Sequence, residues 1–402
     1  MAQLAMKGGS PLRTKPFPSW PVYDDAERNA LIEVLESRKW GTLGPKVVEL
    51  ENRFAAYIGT QYAQTVCNGT VSLEAVLRAL GIGLGDEVLV PPYTFIATVS
   101  SVLMVNATPI FVDIDPETNC MDPDCIEEAI TPHTRALIVV HMAGLPADMD
   151  RICSIASRHG LFVIEDAAQA HGSEWRGKKV GSIGGAGSFS FQLSKNMSAG
   201  EGGMITTNDT ELAEKCWSIH HVGRLREGEW YAHYRLSSNY RMTDWQAAVL
   251  LVQLGRLDTH IGIREQNAAY LGSLLSKLPG VSLFKRDERV TRHTYHLFMF
   301  RFDGSCVGGL SKEKFVAALN AEGIPAAEGY VELYKQPLFR DPAVRKILCR
   351  QIDYEALSLP NTARACKETV WLPQYLLLGD RMDMEDIAAA VSKVIENAEE
   401  LR

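Results

Sequence analysis

The amino-acid sequence predicts an α/β fold, with a mainly parallel central sheet in a large domain and a smaller C-terminal α+β domain. Three observations predict it. Between residues 60 and 166, short apolar runs alternate with helix-period segments, the pattern of parallel strands joined by crossover helices. The candidate polar residues fall at the ends of those runs, where sheets of this kind bind ligands. From about residue 265 the alternation gives way to helices and short strands (Tyr295 to Phe302, Ile324 to Ala327). At 402 residues and 46% apolar, the chain has material for two cores. The expected division is an arm over 1–20, a large domain over 21–264 and a small domain over 265–402.

In chain order, Pro11, Pro16 and Pro18 make the first twenty residues an extended arm. Tyr23 to Arg38 spaces Ala30, Leu31, Val34 and Leu35 as an amphipathic helix, and Val47, Leu50, Phe54 and Tyr57 mark a second one after Gly44-Pro45. Tyr62 to Cys67 reads as a strand, and Asn68-Gly69-Thr70 opens a helix over Val71 to Leu80. The alternation continues with strand Glu87 to Val90, helix Ile96 to Val105, strand Ile110 to Ile114 and helix Asp122 to Ile130. Strand Ala136 to His141, a helix capped by Asp148 or Asp150, and strand Leu161 to Ile164 ending in Glu165-Asp166 follow. Ser188 to Gln192 and Met204 to Thr207 read as strands around a loop that carries Lys195, with Gly200, Gly202 and Gly203 allowing the return. A helix through Leu212 and Trp217, a polar loop over His220 to Tyr240 and a helix over Thr243 to Leu257 complete the large domain.

A net charge of −8 without a basic run argues against a nucleic-acid partner. No apolar run is long enough for a membrane, and none resembles a signal peptide, so the cytoplasm is the expected compartment. The eight cysteines are scattered with neither C-x-x-C pairs nor metal-ligand spacing, so reduced thiols and no metal are expected. The glycines at 181, 184, 185 and 187 precede a strand and match neither nucleotide-loop pattern.

Four features converge on one chemistry. Lys195, just past a strand and among small residues, is either a solvated loop lysine or an amine freed as a nucleophile by confinement. Asp166 ends an apolar strand, to face a cationic ring nitrogen or to cap a turn. Gly69-Thr70 opens a helix, as an anion site or a simple cap. Phe95 follows a strand end and is flanked by Tyr93, as core packing or as a stacking ring. Together these are the parts of a pyridoxal phosphate site: an amine for the Schiff base, a carboxylate for the ring nitrogen, a phosphate cup and a covering ring.

Val163-Ile-Glu-Asp-Ala-Ala-Gln-Ala-His-Gly172, Ser190-Phe-Gln-Leu-Ser-Lys195, Gly200-Glu-Gly-Gly203 and Asn239-Tyr-Arg-Met-Thr-Asp244 closely resemble the DegT/DnrJ/EryC1/StrS family of sugar aminotransferases. Trp20-Pro-Val-Tyr, Val140-His-Met-Ala-Gly-Leu-Pro and Trp371-Leu-Pro-Gln-Tyr resemble most its branch of inosose (cyclitol) aminotransferases and 3-amino-5-hydroxybenzoate synthases. The resemblance implies the pyridoxal 5'-phosphate-dependent fold type I (aspartate aminotransferase-like) architecture in a homodimer. It implies Lys195 as the covalent and proton-carrying residue, Asp166 at the ring nitrogen and Gln169 at the ring hydroxyl. Phe95 and Ala168 would cover the two ring faces, and Gly69, Thr70, Ser190 and a second copy's Asn239 would bind phosphate. Dehydratase relatives carry histidine in place of the lysine, so Lys195 favours transamination, from L-glutamate or L-glutamine to a keto-sugar or keto-cyclitol. The alternatives are an aminohydroxybenzoate synthase-like dehydration and aromatisation, or a non-catalytic regulatory binder. His221, Arg224, Arg241 and Tyr330 stay open between substrate contacts and ordinary surface groups. Nucleotide-sugar relatives often place His-Tyr after the Gly-Ile turn, where this chain runs from Gly323-Ile324 to Gly329-Tyr330 and leaves the acceptor open.

Overall fold

A computed structural model describes residues 3–41, 43–350 and 352–401; Met1, Ala2, Thr42, Gln351 and Arg402, and with them the ends of the expected arm and small domain, lie outside the described residues. Helices α1 (Asp25–Ser37) and α2 (Pro45–Ile58) precede β1 (Tyr62–Val66). Then come α3 (Gly69–Ala79), β2 (Glu87–Val90), α4 (Ala97–Met104), β3 (Thr108–Phe111), α5 (Ile126–Ala129), β4 (Thr134–Val140), α6 (Met149–His159) and β5 (Phe162–Asp166). A hairpin of β6 (Glu174–Trp175) and β7 (Lys178–Lys179) leads to β8 (Ala186–Ser190), β9 (Gly203–Thr207), α7 (Thr210–His220) and α8 (Asp244–Leu275). The remainder comprises β10 (Val281–Leu283), β11 (Val290–Arg292), β12 (Leu297–Phe302), α9 (Lys312–Ala321), α10 (Pro342–Ile347), α11 (Pro360–Glu368), β13 (Thr369–Pro373) and α12 (Arg381–Glu396).

The central sheet has the order β1-β9-β8-β5-β4-β2-β3. Strands β8, β5, β4, β2 and β3 run parallel, and only β9 is reversed, since β1 and β8 are both antiparallel to it. Buried on both faces, these strands are near-continuous apolar runs. Val88, Val90, Ile138 and Ile164 pack against α3, α4 and α7, whereas Leu89, Leu137, Val139 and Val163 pack against α6. Helix starts follow local chemistry: the Asn68, Asp148 and Asp209 side chains accept from the amides of Val71, Arg151 and Leu212. A second, antiparallel sheet, β10-β12-β13, lies with α9 and α12 over the C-terminal core.

Several elements depart from the sequence expectation. The third strand ends at Phe111 because the Asp113 carboxylate leaves the ladder to accept from Asn361 and Thr362 N–H at 3.0 Å, capping α11. Pro123 reduces the helix expected over 122–130 to a 3₁₀ turn and the single turn of α5. Ile324 to Ala327 forms no strand and contributes one isolated bridge, Ala327 to Trp371. Helix α8 runs on to Leu275, 32 residues and about 48 Å at 1.5 Å per residue. It delivers Leu250, Leu254, Leu257 and Ile261 to one core and Ala268, Leu271 and Leu275 to the next. The arm is docked: Leu4 is fully buried in the C-terminal core, and the amides of Ala5 and Leu12 donate to buried Glu322 at 2.8 Å. Among the described residues no helix is long and apolar enough to cross a membrane. All eight cysteines are free thiols.

Candidate active site

Lys195 lies in the loop between β8 and β9, whose path is fixed from three sides. The Leu193 amide donates to Gly200 O at 3.0 Å, Trp20 Nε1 donates to Leu193 O at 2.7 Å, and Asn196 Nδ2 donates to Thr294 O at 2.7 Å. Its side chain is partly buried. Burial pushes its ammonium down to about 8, against the opposing pull of the Asp166 carboxylate. A lysine in that range offers neutral amine near physiological pH.

Asp166 ends β5 and sits in register with Ser188 of β8. It is buried; Oδ2 accepts from Thr98 Oγ1 at 2.8 Å and Oδ1 from the Ala168 amide at 3.2 Å. Burial raises its pKa, while the Thr98 hydroxyl, the Ala168 amide, Lys195 and His141 work the other way. No ion pair among the described residues neutralises this carboxylate. Its neighbour Glu165 points to the other face and is fully saturated. Glu165 accepts from the amides of Gly181, Ile183 and Gly184 at 2.7–2.8 Å and meets His141 Nε2 at 3.0 Å. Since His141 Nδ1 accepts from the Ala147 amide, the proton sits on Nε2 and is donated to Glu165. The glycine-rich run at 181–187 therefore wraps a carboxylate; a Cβ at Gly184 would lie 2.9 Å from Val163 O.

The phosphate-binding candidates meet where α3 abuts β8. A Cβ on Gly69 would lie 2.7 Å from Ser190 Cβ, so only glycine lets the helix start approach the strand end this closely. Asn68 caps the Val71 amide, and the N–H groups of Gly69 and Thr70 in the first turn have no intrahelical carbonyl to meet. The Ser72 and Ser188 hydroxyls touch behind them.

Tyr93 and Phe95 have opposite fates. Tyr93 is fully buried, edge-on to Tyr330 and Trp371, whereas the Phe95 ring is 57% exposed. The Phe95 carbonyl accepts from the Thr98 amide, so this ring and the hydroxyl that holds Asp166 share one turn. Ala168 is partly exposed beside Asp166. Gln169 is clamped: Oε1 accepts from the Ala143 amide at 2.9 Å and Nε2 donates to the Tyr330 hydroxyl at 3.2 Å. Asn239 is exposed, pairs as an antiparallel bridge with His221, and accepts through Oδ1 from the Arg241 amide at 3.3 Å. Its neighbour Tyr240 accepts from the Cys67 amide at 2.7 Å, which hangs this segment on the end of β1.

Sequence reasoning missed Thr98, Trp20 and the His141–Glu165 pair. Thr98 stands three residues after Phe95 on a nascent helix, the one signal that it shares Phe95's face. Trp20 reaches the lysine loop across 173 residues of chain, which no local pattern encodes.

A family model, the DegT/DnrJ/EryC1/StrS aminotransferase family, matches residues 21–394. The chain is 40% identical to the putative L-glutamine:3-amino-2,3-dideoxy-scyllo-inosose aminotransferase of Micromonospora echinospora, over 98% of this chain and 97% of that one. It is 38% identical to the L-glutamine:2-deoxy-scyllo-inosose aminotransferase of Streptoalloteichus tenebrarius, over 99% of each. The crystal structure of 3-amino-5-hydroxybenzoic acid (AHBA) synthase is similar with a TM-score of 0.89 at 36% identity, over 96% of this chain and 100% of that one. Similarity of this depth runs through the strand ends and loops that carry Lys195 and Asp166, and the chain belongs to the DegT/DnrJ/EryC1/StrS aminotransferase family.

Proposed function

We propose that this aminotransferase moves an amino group from L-glutamine or L-glutamate to the ketone of a cyclitol or sugar ring, as a cytoplasmic homodimer using pyridoxal 5'-phosphate. One observation carries the reading: a lysine amine depressed to about 8 beside a buried carboxylate that has no ion-pair partner among the described residues. A buried carboxylate with two hydrogen bonds and no ion pair fits a protonated ring nitrogen. The first-turn amides of α3, the Thr70 and Ser190 hydroxyls, and the close approach at Gly69 fit a phosphate. The exposed Phe95 ring and the small Ala168 fit two faces of a planar ring, and clamped Gln169 fits its hydroxyl.

The cofactor supplies an aldehyde for the donor's amine and a ring that accepts the electron pair released at the donor's α-carbon. Lys195 Nζ would hold the cofactor's aldehyde and, as a free amine, would take the proton from the donor's α-carbon and return it. Asp166 would keep the ring nitrogen protonated, and Thr98 with the Ala168 amide keeps Asp166 oriented. In the proposed dimer a second copy supplies Asn239 to the phosphate. In the proposed division, 1–20, 21–264 and 265–402, the site draws on the second segment, with Tyr330 reaching in from the third.

The names of the inosose aminotransferase relatives support L-glutamine as donor and a keto-cyclitol as acceptor. The likeness to AHBA synthase supports the second reading, dehydration and aromatisation at the same lysine. Purified protein distinguishes them by the cofactor's absorbance band. Bleaching by L-glutamine or L-glutamate, with recovery on adding a keto-cyclitol, is expected. An aromatic product formed without donor would move the assignment to the second reading, and a band indifferent to every amino donor would leave a silent binder.

A further inference from the structure

Arg264 stands on α8 between Ile261 of one core and Ala268 of the next, and it is the largest fully buried side chain of the described residues. Its Nε donates to Gln374 Oε1 at 3.0 Å, and its Nη2 meets the same oxygen. Arginine only donates, so the Gln374 amide is fixed with its oxygen toward the guanidinium and its Nε2 turned away. The Trp20 ring lies 5.4 Å from the guanidinium carbon. Among the described residues no carboxylate pairs with Arg264. Glu265, the next residue, takes Arg286 at 3.2 Å, and Glu27 takes Arg256 at 2.9 Å. Arg264 Nη1, Gln374 Nε2 and His296 Nδ1 are enclosed with no hydrogen-bond partner. Burial holds the imidazoles of His171, His260 and His296 neutral, and the charge of Arg264 adds to that effect at each. Lys195 acts on His171 and His296 as well, so the enclosure backs onto the lysine.

A guanidinium taken out of water with no counter-charge is among the most costly groups a fold can hold. One amide oxygen and an aromatic face offset part of that cost and leave the charge uncancelled. An ordered water would give Nη1 a hydrogen bond and still leave the charge. A small anion supplies both the acceptor and the negative charge. Arg264, Gln374 and His296 are 0%, 2% and 6% exposed, a closure that favours an ion of one atom over a phosphate or a carboxylate. We infer that Arg264 Nη1 holds a single halide ion, chloride in solution, with Gln374 Nε2 and the Nδ1–H tautomer of His296 as the neighbouring donors. The ion neutralises the cation beneath Trp20, whose indole N–H donates to Leu193 O at 2.7 Å. Docking of the arm on the lysine loop thereby becomes sensitive to chloride, whatever reaction the loop serves.

The test uses the cofactor-loaded full chain. Replacing gluconate by chloride or bromide at constant ionic strength is expected to raise its melting temperature by about 2–4 °C. Gln374→Glu sets a carboxylate on the guanidinium and repels any second anion. This variant is expected to lose the halide dependence and to melt in gluconate no lower than the parent does in chloride. Crystals of the parent grown in bromide are expected to show an anomalous scattering peak in contact with Arg264 Nη1. A parent indifferent to halide would overturn the inference, as would a shift of equal size in Gln374→Glu, the mark of a general salt effect. A water at Nη1 with no bromide peak would overturn it too. Should Gln374→Glu fail to fold, the bromide peak of the parent decides by itself.

Discussion

Lys195 and Asp166 each carry the charge that burial opposes, and each supports the other's. In cofactor-free protein the lysine's reactivity toward an amine reagent is expected to rise about tenfold per pH unit up to about 8 and then level off. The same shift sets a stability trend. The folded pKa is about 8 and the ordinary value 10.5, so the unfolded chain binds the proton first as pH falls. Lysine's penalty to the fold is complete below about 8 and absent above 10.5. Lys195→Met is therefore expected to unfold at higher urea than the parent at pH 7, an advantage that fades across that interval, while the cofactor band and turnover vanish at every pH. Thr98→Val removes the 2.8 Å donor to Asp166 and strands a buried acceptor, lowering stability by about 1–3 kcal/mol in urea titrations and loosening cofactor; Thr98→Ser restores both. Thr98 was invisible in the sequence for a physical reason. Its partner lies 68 residues away, and only the sheet order, with β4 between β2 and β5, brings the start of α4 to the end of β5.

At the scale of elements, the start of α3 against β8 is the sharpest constraint. Gly69→Ala improves the helix by about 1 kcal/mol in propensity yet places a methyl 2.7 Å from Ser190 Cβ. The expected outcome is cofactor dissociation at least about tenfold faster in gel-filtration or dilution assays, with little change in melting temperature. The strands and helices of the central sheet were legible because sheets covered on both faces encode burial as contiguous apolar runs, as at Val88 to Val90 and Val163-Ile164. Three kinds of element were not. Strands β6, β7 and β11 are two or three residues each, and β11 pairs with β6 across more than a hundred residues. Helix α8 has no Pro to stop it, and its apolar side changes partners partway, which blurs the periodicity that located its first half. Strand β13 hides in the motif Trp371-Leu-Pro, whose proline sits at the strand's last residue.

Across the whole molecule, the N-terminal arm closes the C-terminal core. Arg13 pairs with Asp383 at 2.7 Å with both side chains nearly inaccessible, and also with Asp386 at 2.6 Å. Arg13→Ala leaves buried Asp383 with only the exposed Lys15 at 3.3 Å as a cation, an expected loss of roughly 3 kcal/mol, measured as a lower midpoint in urea. The arm continues to Trp20, whose indole holds the lysine loop and faces the Arg264 guanidinium, so the same change is expected to raise proteolysis of both the arm and that loop.

The back-to-back acids at the end of β5 set a limit on how this chain can vary. Glu165 is bound on one side of the strand and Asp166 stands on the other, so sliding that strand by a single position would put either Glu165 or Ala167 in the place of Asp166. A one-residue insertion or deletion between α6 and β5 would thus erase the chemistry while keeping every side chain that performs it.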